Sequence, residues 1–77
     1  MDDKTRAKIC EKTARLLREQ RESLGLSMNE VARRTGLAQQ TVSFVERGMR
    51  MPTLDTLLRI ASALDLDLSE VLREASR

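Results

Sequence analysis

Met28-Asn29-Glu30-Val31-Ala32-Arg33-Arg34-Thr35-Gly36-Leu37-Ala38-Gln39-Gln40-Thr41-Val42-Ser43-Phe44-Val45-Glu46-Arg47 is the stretch that decides the fold. Ser27 stands just before it, and Ser27-Met28-Asn29-Glu30 has capping-box spacing. The Ser27 hydroxyl can accept from the Glu30 N–H, and the Glu30 carboxylate can return a bond to the chain at Ser27. A helix from Met28 to Thr35 follows. Gly36 then offers a left-handed backbone at no steric cost, with the apolar Leu37 behind it, which is the pattern of a helix C-terminus. A second helix runs from Gln39 to Arg47 after a three-residue turn, Gly36-Leu37-Ala38. Two short helices closed by so tight a turn must cross steeply, and the small Ala32 on the first lets the second approach.

Working outward, the same punctuation recurs. Leu24-Gly25-Leu26 and Arg47-Gly48-Met49 repeat the glycine-then-apolar pattern, 11 and 12 residues either side of Gly36. Pro52-Thr53 stops one helix and caps the next, with Asp55 in its first turn. Asp67-Leu68-Ser69-Glu70 is spaced to cap another. The reading is five helices: Asp3 to Leu24, Met28 to Thr35, Gln39 to Arg47, Leu54 to Leu64 and Leu68 to Ala75. No period-two alternation competes, so no sheet is expected. The expected fold class is all-α.

Helical spacing nominates the core. Ala14, Leu17 and Leu24, with Leu16 beside them, form the stripe of the first helix. Val31 and Ala32 face inward from the second, Leu37 plugs the turn, and Val42 with Val45 anchors the third. Leu54, Leu57, Ala61 and Leu64 repeat at three and four on the fourth helix, flanked by Leu58 and Ile60. Leu66, Leu68, Val71 and Leu72 complete the set. If Val42 and Val45 point inward, Gln39, Gln40, Ser43, Phe44 and Arg47 must be exposed. That face carries two carboxamides, a hydroxyl, a ring and a guanidinium, and no carboxylate. Gln can bond adenine N6 and N7 together, Ser adapts to several base edges, and an apolar ring can touch a thymine methyl.

Leu24-Gly25-Leu26-Ser27, Glu30-Val31-Ala32, Gly36-Leu37, Gln39-Gln40-Thr41-Val42-Ser43 and Val45-Glu46-Arg47-Gly48 resemble the phage-repressor and Cro type (XRE-like) of helix-turn-helix DNA-binding protein. Pro52-Thr53-Leu54 and Ile60-Ala61-Ser62-Ala63-Leu64 continue the resemblance, which covers roughly Leu16 to Leu72. It implies a five-helix repressor-like bundle, with the second helix across the DNA backbone and the third in the major groove. Carried over by position, it implies base reading by Gln39, Gln40, Ser43 and Phe44, and phosphate contact by Thr41, Arg47 and Arg50. It also implies an ion pair between Arg21 and Glu46. Two positions depart from the family. Met28 stands where a phosphate-touching Gln is usual, although backbone N–H groups at the helix start can still serve. Ala38 stands where Ser or Thr usually caps the recognition helix, a loss of about 1 kcal/mol.

Composition narrows the rest. With 77 residues there is room for one domain, read as an N-terminal extension of the first helix over residues 1–12 and a DNA-binding domain over 13–77. The extension is either a solvated arm or brings Ile9 and Cys10 to a dimer interface. Phe44 is the only aromatic residue, so the core is lean and aliphatic, and a small lean core draws stability from a partner subunit. Leu58, Leu68 and Val71 are the expected dimer contacts. Charge is uneven. Residues 1–26 hold seven Lys/Arg against five Asp/Glu, residues 27–53 four against two, and residues 54–77 three against five. A basic end and an acidic end suit a molecule with one side toward an anion.

No apolar run approaches the roughly 20 residues of a membrane span, and no signal peptide is visible. The single cysteine excludes a disulfide framework within the chain. A cytoplasmic, nucleoid-associated location is expected. With no histidine, no metal-ligand cluster, no phosphate-cradling glycine loop and no nucleophile–base pair, no enzymatic activity and no cofactor is expected. The resemblance implies a dimeric transcriptional regulator, in the main a repressor, on a palindromic double-stranded operator. A restriction-modification controller, the antitoxin partner of a toxin, and a protein-interaction module with incidental DNA binding are the alternatives. Met28, Met49 and Met51 are read as gap-fillers rather than a site.

Overall fold

The computed structural model describes residues 1–49 and 52–77, so Arg50 and Met51 lie outside the described residues. Five helices follow one another: α1 (Asp3–Ser23), α2 (Met28–Thr35), α3 (Gln39–Glu46), α4 (Leu54–Ala63) and α5 (Leu68–Ala75). No strand occurs among the described residues. Leu24, Arg47 and Leu64 are C-caps rather than the last helical residues. Elsewhere the limits coincide with the capping signals.

Those signals act as hydrogen bonds. Asp2, Ser27, Thr53 and Asp67 each accept a backbone N–H of the helix they start. Only the forward half of the expected box at Ser27 is made: Glu30 N–H donates to Ser27 Oγ at 3.0 Å. The Glu30 carboxylate turns away and takes Arg33 and Arg34 instead. Their hydrogen bonds, Arg33's foremost, hold the Glu30 carboxyl below its usual pKa. Two guanidiniums one turn away are stronger partners for a carboxylate than one exposed amide.

Helix ends use the same turn three times. After α1 and α3, Gly25 and Gly48 N–H groups bond Glu22 and Val45 carbonyls, while Leu26 and Met49 N–H groups reach back to Arg21 and Phe44. These are Schellman motifs. After α4 the same pair of bonds runs from Asp65 and Leu66 to Ser62 and Ala61, and the left-handed residue is Asp65, φ 56°. Asp tolerates that region better than most side chains, so this stop carries no glycine to announce it.

The core has two joined parts. Leu17, Val31, Ala32, Val42, Val45, Ile60 and Leu64 bring α1 to α4 together. Ala61, Leu68 and Val71, lined by Leu16, Leu57, Leu66 and Leu72, seat α5 on α1 and α4. Two expected core residues are instead exposed. Leu24 sits at the tip of the α1–α2 turn and Leu54 at the open start of α4. Ile60, expected as a flank, is fully buried. Ile9 and Cys10 continue α1 and are half buried; with Ala14, Val45, Leu57 and Leu72 they line a cleft within the chain. Residues 1–8 are exposed.

Side chains from neighbouring helices take three terminal carbonyls that no local donor takes. Arg59 on α4 donates to the Thr35 carbonyl at the end of α2, Gln20 on α1 to Leu64 at the end of α4, and Lys12 to Arg77. Gly36 has φ 76°, and a Cβ there would meet only Arg59 Nη1 at 3.8 Å, so space is ample and the backbone is the constraint. A left-handed backbone costs an L-residue about 1–2 kcal/mol, and more when it is β-branched. We expect Gly36→Val to lower the melting temperature by about 8 °C or more, at about 4–8 °C per kcal/mol for a domain of this size. A wild-type melt would show that the turn does not need its left-handed residue.

Candidate nucleic-acid interface

α3 is positioned from behind. Val42 and Val45 are buried in the core, which turns the opposite face of the helix outward. Gln39, Gln40 and Arg47 are exposed, and Thr41, Ser43 and Phe44 are half buried. The four residues expected to read bases therefore share one accessible surface. Phe44 is shielded on one side by Arg47, whose guanidinium carbon lies 5.6 Å from the ring centroid. That cation–π contact holds a flexible cation in place. Of the expected phosphate contacts, Thr41 and Arg47 flank this face, whereas Arg50 lies outside the described residues.

The third residue of α3 that points inward is Glu46, 3% exposed. It meets Arg21 of α1 in a forked pair: Nε donates to Oε2 at 2.6 Å and Nη2 to Oε1 at 3.1 Å. Arg21 Nη1 donates to the Leu26 carbonyl at 2.7 Å. One guanidinium thus ties the last turn of α1, the α1–α2 turn and the C-terminal end of α3. The Glu46 hydrogen bonds raise Arg21 above the usual guanidinium pKa despite the opposing effect of burial. No buried side-chain polar atom among the described residues is left without a partner.

The start of α3 is the contrast. Ala38 occupies the N-cap in extended conformation and offers no side-chain hydrogen bond. Gln39 and Gln40 N–H groups have no acceptor among the described residues. Donors at a helix start are a natural seat for an anion. The turn behind them is firm: Thr35, buried, donates its hydroxyl to the Val31 carbonyl at 2.8 Å and accepts the Leu37 N–H at 3.2 Å. Met28, at the family's departure point, packs against the core.

Of the three expected dimer contacts, only Leu58 is at the surface, 49% exposed. Leu68 and Val71, each 6% exposed, are consumed by the packing of α5 against α1 and α4. Leu54, one turn before Leu58, is 64% exposed. Its helical spacing matches the core stripe, but period alone does not say which side of α4 its neighbours cover.

Two short helices joined by a tight turn, the second displaying polar and cationic side chains, define the class. The helix-turn-helix family HTH_3 matches residues 17–71, and the chain belongs to this family of XRE-like, DNA-binding transcription regulators. An uncharacterised HTH-type transcriptional regulator of Methanothermobacter thermautotrophicus is 45% identical over 49 residues, covering 64% of this chain and 71% of that protein. One from Mycobacterium tuberculosis is 46% identical over 48 residues, covering 62% of this chain and 34% of its own length. The chain thus spans about a third of the mycobacterial relative. Among solved structures, the restriction-modification controller protein C.AhdI from Aeromonas hydrophila is 39% identical with a TM-score of 0.75, over 80% of this chain and 94% of that one. The clp gene regulator ClgR from C. glutamicum is 26% identical with a TM-score of 0.80, over 88% and 87%. No helix among the described residues is long and apolar enough to cross a membrane.

Removing one partner of a buried ion pair costs about 3–5 kcal/mol, while replacing both by apolar groups is often neutral. Arg21→Met should therefore destabilise by about 3 kcal/mol or more, and Arg21→Met with Glu46→Leu by clearly less than the single change. Urea denaturation of the full cycle tests this. Single variants within about 1 kcal/mol of wild type would mean the pair behaves as a surface pair and does not hold α3.

Proposed function

We propose that this regulator is a dimeric repressor that reads a palindromic operator through α3. The observation that carries the reading is the α3 face itself. Gln39, Gln40, Ser43 and Phe44 stand together without a carboxylate, on a helix fixed from behind by Val42, Val45 and the Arg21–Glu46 fork. Gln39 and Gln40 open α3 and enter the major groove, where a carboxamide can take both edge atoms of adenine. Thr41 and the uncapped amides at the helix start meet one phosphate run, and Arg47 at the far end meets the other. The two copies pair through α4, with Leu54 and Leu58 forming an isologous contact. This sets two recognition helices ~34 Å apart, one turn of DNA.

Similarity to a restriction-modification controller over nearly the whole of that protein favours one setting: control of a restriction-modification system.

Base reading and phosphate anchoring separate experimentally. On a duplex obtained by in vitro selection, Gln39→Ala or Gln40→Ala should lose about 1–3 kcal/mol, with little change on random duplex. Arg47→Ala should weaken both and reduce the salt slope by about one charge. Titrations at several salt concentrations decide. Equal losses by the Gln variants on both duplexes would move the reading head away from α3.

The dimer has its own test. Sedimentation equilibrium at roughly 20–50 µM, well above the micromolar Kd of a weak association, should give a dimer for wild type and a monomer for Leu58→Glu. A wild-type monomer both with and without DNA would remove the isologous α4 contact from the account.

A further inference from the structure

A concentration of cations lies away from α3's reading face. A groove of about 460 Å³ runs between the middle of α1 and the end of α3, lined by Lys8, Lys12, Arg15 and Arg18 on one side and Arg47 on the other. Positions 8, 12, 15 and 18 recur at four and three, so they form one face of α1. The acids in the same groove are Glu11 and Glu46. Glu46 is fully engaged by Arg21, which leaves Glu11 against five cations. Arg15 approaches Glu19 only at 3.8 Å, with both side chains more than half exposed. Lys8 and Arg18 make no ion pair among the described residues. Like charges at helical spacing cost a helix a few tenths of a kcal/mol per pair, so the row is unfavourable to the isolated protein.

Packing places this row beside the C-terminal end of α3. Gly48, left-handed at φ 64°, brings the end of α3 so close to α1 that a Cβ on it would lie 4.0 Å from the Ala14 Cβ. Arg47, the preceding residue, therefore stands at the junction of the two surfaces. Gln39 and Gln40 are at the opposite end of α3, so the row leads away from the base-reading end.

From this geometry we infer that the Lys8–Arg15–Arg18 face of α1 is a second DNA contact, a sequence-independent clamp on the phosphate backbone flanking each half-site. The inference rests on the reading of α3 as the recognition helix. From Lys8 to Arg18 the helix rises about 15 Å, a length comparable with about four phosphates of one strand at ~3.4 Å each along the axis. Lys12 contributes less, because its ammonium is already bonded to the Arg77 carbonyl at 3.0 Å.

The test uses the whole chain and two duplexes: a selected operator ending at its half-sites, and the same operator with about one helical turn, ~10 bp, added at each end. Wild type should bind the longer duplex more tightly and with the steeper salt dependence. The triple variant Lys8→Ala, Arg15→Ala, Arg18→Ala should bind both duplexes alike. Its slope of log affinity against log salt on the longer duplex should fall by about 2–3, with its operator-to-random preference unchanged. Hydroxyl-radical footprints on the longer duplex should lose protection outside the operator only. A charge-preserving variant, Arg15→Lys with Arg18→Lys, should behave as wild type, which separates loss of charge from loss of fold. A triple variant that keeps the wild-type slope and flanking footprint, while Gln39→Ala still loses operator binding, overturns the clamp and leaves the α3 reading intact. Wild type that binds no duplex at low salt overturns the α3 reading, and the clamp with it.

Discussion

The Arg21–Glu46 fork is the constraint on which the rest of the structure depends. α3 has only eight residues, too few for a helix to persist on its own in water. Val42 and Val45 anchor its buried face, but two adjacent apolar side chains leave a short helix free to roll and tilt. Glu46 removes that freedom. Its two oxygens take two parallel donors from one planar guanidinium, and a third donor of the same group fixes the Leu26 carbonyl. The orientation of α3 is thereby referred to α1, the longest helix. The pair need add little net stability for this, since the cost of burying two charges offsets most of their attraction. Its contribution is geometric: it sets the angle at which Gln39 and Gln40 are presented.

The two ends of α3 are treated oppositely. The C-terminal end is closed by Gly48, crossed by the Arg47–Phe44 contact and tied down through Glu46. The N-terminal end has Ala38 in place of a cap and keeps its first donors open. A side-chain cap there would add about 1 kcal/mol and would also occupy the donors an anion needs. Stability is thus spent where the helix joins the protein and withheld where it meets the medium.

Much of this was legible in the sequence because it is written in local chemistry. α2 and α5 have their expected limits because Ser27, Gly36 and Asp67 act through hydrogen bonds to residues two to four positions away. The pairing of Arg21 with Glu46, and the outward face of α3, followed from family resemblance and from the placement of Val42 and Val45. What was not legible depends on which neighbour covers which face. Leu54 and Leu68 have the same helical credentials, yet Leu68 is buried by the docking of α5 on α1 and α4, and Leu54 is left open at the start of α4. Asp65 stops α4 without a glycine because its left-handed backbone is held by two turn hydrogen bonds. The capping reaches of Arg59, Gln20 and Lys12 span 24 to 65 residues, and nothing local marks them.

The central claim is that DNA meets the protein along α3 in the orientation fixed by the Arg21–Glu46 fork. The most direct measurement is a ¹⁵N-resolved NMR titration of the protein with a duplex obtained by in vitro selection. The account predicts that the largest backbone amide shifts fall on Gln39, Gln40 and Thr41, extend through Ser43 to Arg47, and leave the buried face of α5 still. Shifts concentrated on α4 and α5, with α3 unmoved, would contradict it.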